Sequence, residues 1–234
     1  MRHARIERWS QGRSSLHRRH AAAKIPAALV LLISIATLEH RASAACGLYA
    51  LLLIAITAAA GLPLKAILLS AAAVLPFAFC FALVTALAGD PDRALLLLTR
   101  AWLSSLTALL LIATTPMPSL IAGLEFLHAP RFLLQVMQFL YRYLVVLMEE
   151  GGAMRQASAA RGGSPGALLF RHSAAAAGVL FARAYARAQA IHRAMLSRGF
   201  ESHMPVSASS TFRAGDMRFL AMAIVIVVAV RLIP

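Results

Sequence analysis

Apolar positions in this chain come in long runs. Ala, Leu, Ile and Val fill most positions from Ile25 to Thr115 and again after Arg218. A helix needs about 20 such residues to cross the hydrocarbon of a bilayer, and shorter runs fit tilted or interfacial segments. Four segments fit the first half, Ile25–Leu38, Ala44–Leu62, Ala66–Ala88 and Ala94–Thr115, and a fifth covers Phe219–Leu232. Pro76 lies inside the third and predicts a kink, because it lacks an N–H and its ring crowds the carbonyl four residues back. Arg100 lies inside the fourth. A helix starting near Ala101 would keep that charge out of the hydrocarbon, and this start is the expectation.

Between Pro116 and Arg213 the pattern changes. Thr114-Thr115-Pro116-Met117-Pro118 stops the preceding helix, and Ile121 to His128 reads as a short amphipathic helix ending before Pro130. From Arg131 to Ala160, Phe132, Val136, Phe139, Tyr143 and Val146 mark one helical face, while Arg142, Glu149, Glu150 and Arg155 supply charge. Gly151-Gly152 predicts a bend there, since each glycine costs about 1 kcal/mol against alanine in a helix. A second long helix, Ala167 to Ser197, carries Phe170, Ala174, Ala177, Phe181, Ala184, Ala188, Ile191 and Met195 at spacings of three and four. Its alanines permit close approach to a neighbour. Its arginines, Arg171, Arg183, Arg187 and Arg193, place it in the cytosol or along the membrane surface.

Composition supports the membrane reading. Of 234 residues, 60% are apolar, and the mean hydropathy is +0.74; soluble domains sit near 45–50% apolar. There are 23 basic and 9 acidic residues, a net charge of +14. Seven basic residues lie in the first 24 positions and eleven between Arg131 and Arg218. Such an excess suits nucleic acid or an anionic membrane surface. Here it flanks the apolar spans, which assigns it to the cytoplasmic side and argues against nucleic acid.

The expected fold is all-α and polytopic, with about five transmembrane helices. Residues 1–24 form a basic cytosolic segment, 25–115 hold transmembrane helices one to four, 116–212 form a cytosolic domain of long amphipathic helices, and 213–234 form the last span. Gly89-Asp90-Pro91-Asp92 lies outside and the carboxyl end exits. Ala42-Ser43-Ala44-Ala45-Cys46 has the small residues of a signal-cleavage site. The long basic region, Glu39 and Arg41, and the span that follows all argue against removal. Cys46 and Cys80 sit in apolar runs without a CxxC, so no disulfide framework is implied.

The two long helices end alike, at Ala159-Ala160-Arg161-Gly162-Gly163 and at Met195-Leu196-Ser197-Arg198-Gly199-Phe200. Glycine just past a helix end adopts the left-handed conformation that caps it. Arginine there suits the helix dipole and projects a five-donor fork toward carboxylates or exposed carbonyls of a partner. One Arg-Gly at a helix end is an ordinary cap. Two, 37 residues apart on consecutive basic helices, point to a paired binding device.

The stretch from Thr115 to Phe200 resembles the coupling domain of energy-coupling factor transporter T components of the cobalt/nickel type. Those proteins carry two Ala-Arg-Gly signatures, one at the end of each coupling helix. Ala160-Arg161-Gly162 matches outright, and Ser197-Arg198-Gly199 departs by Ser for Ala. Tyr141-Arg142-Tyr143 followed by Met148-Glu149-Glu150, and Arg193-Ala194-Met195-Leu196, are also similar. The resemblance implies a multi-pass subunit of a bacterial cell inner membrane whose coupling domain is cytoplasmic. Two cytosolic ATPase subunits, holding ATP and magnesium, would receive Arg161 and Arg198, and a small membrane subunit would bind the cargo. That subunit would rest on the stripe of Phe170, Ala174, Ala177, Phe181, Ala184 and Ala188. Cobalt or nickel is the implied cargo, with biotin or another vitamin as the alternative.

No Gly-rich phosphate loop with its lysine is present, so ATP binding and enzymatic activity are not expected of this chain, nor is any cofactor. His17 and His20 form a close pair, but the flanking arginines repel a cation, and no metal site is expected. Glu149 and Glu150 are adjacent and diverge on a helix; they read as partners for Arg142, Arg155 or the coupling helices. Two competing readings are a conventional ATP-driven permease lining its own substrate path, and a membrane protein whose basic helices simply bind anionic lipid.

Overall fold

The computed structural model describes residues 9, 12, 14, 16–17, 19–38, 43–162, 167–200 and 214–231. The helices are α1 (Ala21–Ala36), α2 (Ser43–Ala59), α3 (Leu64–Ala71), a 3-10 turn (Ala72–Val74), α4 (Leu75–Leu87), α5 (Pro91–Thr114), α6 (Met117–Phe126), α7 (Arg131–Ala160), α8 (Ala167–Ser197) and α9 (Ala214–Arg231). There is no strand among the described residues. The chain is an all-α polytopic membrane protein. It divides into two compact units, Met1–His128 with Ser207–Pro234, and Ala129–Val206.

In the first unit α5 is the central helix, packed by α1, α2, α3 and α4. Leu103, Leu106, Leu110 and Ala113 recur at spacings of three and four and are buried against Tyr49 and Leu53 of α2, Ile35 of α1, Ile67 of α3 and Val227 of α9. Leu95 and Ile112 of the same helix are exposed, as a helix that meets lipid along part of its surface requires. Polar groups inside the bundle are satisfied internally. Thr107 and Thr114 donate to the carbonyls of Leu103 (2.9 Å) and Leu110 (2.7 Å), and Ser34 of α1 bonds Tyr49 of α2 at 2.6 Å. Hydrocarbon offers these hydroxyls no alternative partner.

Both ends of α9 are tied to α1. Asp216 accepts from the His20 N–H at 3.2 Å, while Arg231 donates to the Thr37 hydroxyl at the other end of α1. The two helices therefore run parallel. Lys24, in the first turn of α1, is buried and donates to the Thr114 carbonyl at 2.9 Å and the Thr115 hydroxyl at 3.3 Å. The starts of α1 and α9 and the end of α5 thus share one end of the bundle. α6 follows directly from that shared end.

Several sequence expectations change. α5 begins at Pro91, not near Ala101, and runs unbroken through Arg100. Pro91 in the first turn supplies a helix start. The Nε of the half-buried Arg100 has no hydrogen-bond partner among the described residues. Pro76 does break the third segment: the chain tightens to 3-10 geometry over Ala72–Val74, where the proline would crowd the Ala72 carbonyl. The helix expected over Ile121–His128 covers Met117–Phe126, because Pro118 starts it earlier and His128, at φ 62, ends it. Among the described residues of the expected spans, the third and fourth are both long and apolar enough to cross a membrane. α7, expected in the cytosol, also meets that measure. α1 and α2 are shorter, and α9 carries Asp216, Arg218 and Arg231 in its 18 residues.

α6 packs across the start of α1. A Cβ at Gly123 would lie 2.9 Å from the Ala21 Cβ and 3.0 Å from the Ala22 nitrogen. Gly123→Val is expected to lower stability by about 1–3 kcal/mol through overpacking. Lys24→Met should lose a similar amount, about 1–3 kcal/mol, by leaving the buried Thr114 and Thr115 oxygens without their donor. Thermal unfolding in detergent reads both; unchanged midpoints would contradict this packing.

Candidate functional site: two arginine-tipped helix ends

The second unit is an α7–α8 hairpin. Glu150 of α7 pairs with Arg183 at 2.9 Å and Arg187 at 3.4 Å on α8. One residue on, a Cβ at Gly151 would sit 3.8 Å from Leu180 Cδ2. Away from that crossing, the lining of the groove between the helices reaches Val136 on α7 and Met195 on α8. The helices are therefore antiparallel. The expected bend at Gly151-Gly152 is absent, and α7 is continuous from Arg131 to Ala160. Missing side chains there let Leu180 approach, and packing on α8 outweighs the poor helix propensity of glycine.

Each helix ends at a left-handed glycine. At the first tip, Gly162 has φ 75, and its N–H reaches the Ala159 carbonyl at 3.1 Å. At the second, Gly199 has φ 72, its N–H bonds Leu196 at 3.0 Å, and the Phe200 N–H bonds Met195 at 3.1 Å. That pair of bonds makes a Schellman motif. A Cβ at either glycine would meet open space, so backbone conformation alone demands glycine. Arg161 and Arg198 occupy the cap position itself, one residue beyond the last helical residue. Both are exposed, and neither has an ion-pair or side-chain hydrogen-bond partner among the described residues. Ala160 and Ser197 close the helices ahead of them. Arg161 lies 11 residues past Glu150, and Arg198 lies 15 past Arg183 in the opposite direction. At a rise of 1.5 Å per residue the tips stand roughly 30–40 Å apart.

The alanine stripe of α8 does not behave as one surface. Ala174, Ala177 and Phe181 are exposed, Phe181 by 74%, and the Phe181 ring stacks with Tyr185 at 6.5 Å. Ala184 is half-buried and, with Ala188, Ile191 and Met195, lines the groove against α7. The side chain of Phe170 and residues 163–166 lie outside the described residues. Leu180 and Arg187, which lie outside the alanine stripe, share the packed face. The series 180, 184, 187, 191, 195 carries the same helical period and would have exposed them. On α7, Phe139, Tyr143 and Val146 are half-buried as that face requires, whereas Phe132 and Val136 are exposed.

The histidine pair is structural. His17 Nδ1 lies 2.7 Å from the Ser14 hydroxyl and Nε2 lies 2.9 Å from the Trp9 carbonyl. His20 Nδ1 accepts from the Ala22 N–H at the start of α1. No cluster of three metal-ligating side chains occurs among the described residues.

Replacing Gly162 or Gly199 by alanine is expected to weaken each cap by about 1 kcal/mol, with asparagine milder and valine worse, because left-handed backbone penalises a Cβ. Amide hydrogen exchange in the last turns of α7 and α8 measures it. An alanine variant as protected as the parent would refute the assigned cap.

The sequence profile of the CbiQ family, described as cobalt transport protein, matches residues 87–207. No curated protein matches the sequence. The matched stretch is just over half of the chain. It begins at the last residue of α4 and contains α5, α6, the whole hairpin and both arginine tips. The chain therefore belongs to the CbiQ family of cobalt transport proteins, the T components of energy-coupling factor transporters.

Proposed function

We propose that this chain is the transmembrane coupling subunit of an energy-coupling factor importer of the ABC type, working in cobalt or nickel uptake. The observation that carries this reading is the pair of exposed arginines, without side-chain partners among the described residues, each followed by a left-handed glycine at opposite ends of one hairpin. Tips roughly 30–40 Å apart do not enter a single groove; they suit two separate cytosolic ATPase subunits. Each guanidinium fork offers planar, bidentate recognition to a carboxylate or to helix-end carbonyls.

In this mechanism ATP and magnesium stay on the ATPases. Their closure moves Arg161 and Arg198 relative to one another, and the hairpin carries that displacement as a stiff pair, pinned near its middle by Glu150 with Arg183 and Arg187. A small membrane subunit holding the cargo rests on the exposed side of α8, where Ala174, Ala177 and Phe181 give a flat apolar surface with little side chain to order. The displacement topples that subunit and releases its cargo inward. Since the cargo sits on another chain, the same device serves a metal ion or a vitamin such as biotin. The coupling helices belong on the cytoplasmic side of a bacterial inner membrane.

Arg161→Glu and Arg198→Glu test the reading. Each is expected to leave membrane insertion intact and to weaken co-purification with the ATPases by more than about tenfold, since breaking a desolvated charge contact costs about 2–5 kcal/mol. Uptake should fall in step. Wild-type uptake by both variants would overturn the assignment, as would modification of a cysteine at position 153 by a membrane-impermeant reagent applied from the periplasm.

A further inference from the structure

The groove between α7 and α8 encloses about 510 Å³, within the range of roughly 300–1,000 Å³ typical of ligand sites. Its walls are Phe139, Leu140, Tyr143, Leu147, Ala188 and Ile191, with no carboxylate among the lining residues. Leu140 is 59% exposed, so the rim is open. Arg187 is the charged residue in the lining. Its Nη2 reaches Glu150, but its Nη1 is buried without a hydrogen-bond partner. A buried guanidinium donor left unpaired costs free energy, which an acceptor oxygen would recover. Arg183 shares the same glutamate, and Arg142 lies 5.8 Å from the centroid of the Tyr143 ring. Arg183 and Arg187 together outnumber Glu150, so the end of the groove where they meet carries net positive charge.

An elongated apolar slot with one cationic, donor-rich end matches an acyl chain bearing an anionic headgroup. α7 is itself long and apolar enough to cross a membrane, and Phe132, Leu140 and Met148 stand exposed along it; a bilayer would supply such a molecule. We infer that the α7–α8 groove binds an anionic phospholipid, one acyl chain between Phe139 and Ile191 and a phosphate oxygen on Arg187 Nη1. This site is separate from the arginine tips and does not rest on the ATPase reading. A lipid there fills the space beside the Glu150 crossing and stiffens the hairpin.

The test uses purified full-length protein equilibrated with phosphatidylglycerol and phosphatidylcholine in equal amounts, with retained lipid weighed by native mass spectrometry. The unmodified protein is expected to retain phosphatidylglycerol in preference, and Arg187→Gln to lose roughly fivefold of that preference, the effect of one cation beside an anionic headgroup. Ala188→Phe, which fills the slot, should abolish retention of either lipid. Inorganic phosphate should not displace the bound species. Equal retention of the two lipids by the unmodified protein would overturn the proposal, as would displacement by phosphate alone. So would Ala188→Phe that holds lipid normally while altering oligomeric mass, since the groove would then take a second copy of the chain. Should Ala188→Phe fail to fold, the Arg187→Gln comparison decides alone.

Discussion

A peptide group surrounded by hydrocarbon has no partner but its own chain, and each unmet N–H or carbonyl there costs several kcal/mol. The first unit of this protein is built under that constraint. Helices satisfy the backbone, the hydroxyls of Thr107 and Thr114 turn back to carbonyls of their own helix, and Ser34 and Tyr49 satisfy one another between helices. Where a helix must end, something caps it: Lys24 reaches the terminal carbonyl of α5, and Arg231 meets Thr37 at the end of α1. The cations at these ends also oppose the negative pole of the helix dipole.

The hairpin obeys a different rule. Both of its tips end in left-handed glycine at φ 75 and φ 72, which satisfies backbone carbonyls without any side chain. Arg161 and Arg198 therefore have no side-chain partner among the described residues. A cap made by arginine would have engaged the fork; a cap made by glycine frees it. The functional reading and the local backbone geometry are linked at this point, and the match to the cobalt transport family over residues 87–207 includes both tips.

Much of this was legible in sequence because it is local. Long apolar runs, Pro76, and the Arg-Gly pairs act through neighbours a few residues away, and the 3-10 turn at Ala72–Val74 and the two caps follow from them. The failures were of longer range. The start of α5 is not legible because Arg100 looks like a barrier, whereas an amphiphilic side chain inside a bundle is tolerated. Gly151 is a weak point by local propensity, but it faces Leu180 on a helix some thirty residues on. The stripe on α8 was counted on alanines, which are too uniform to say which side meets α7; the bulkier Leu180 and the paired Arg187 mark that side. Nothing in the sequence joins His20 to Asp216, because the contact links the first helix to the last.

That last contact bears on biogenesis. α1 and α9 lie side by side, yet about 180 residues separate them in translation. At about 5–20 residues per second, α1 waits on the order of ten seconds or more after leaving the ribosome for the helix that completes its packing. Throughout that interval its buried face has to be sheltered by lipid, by α5 or by the insertion machinery. The pairing of α1 with α9 forms only after the hairpin has been made, so no finished bundle precedes it.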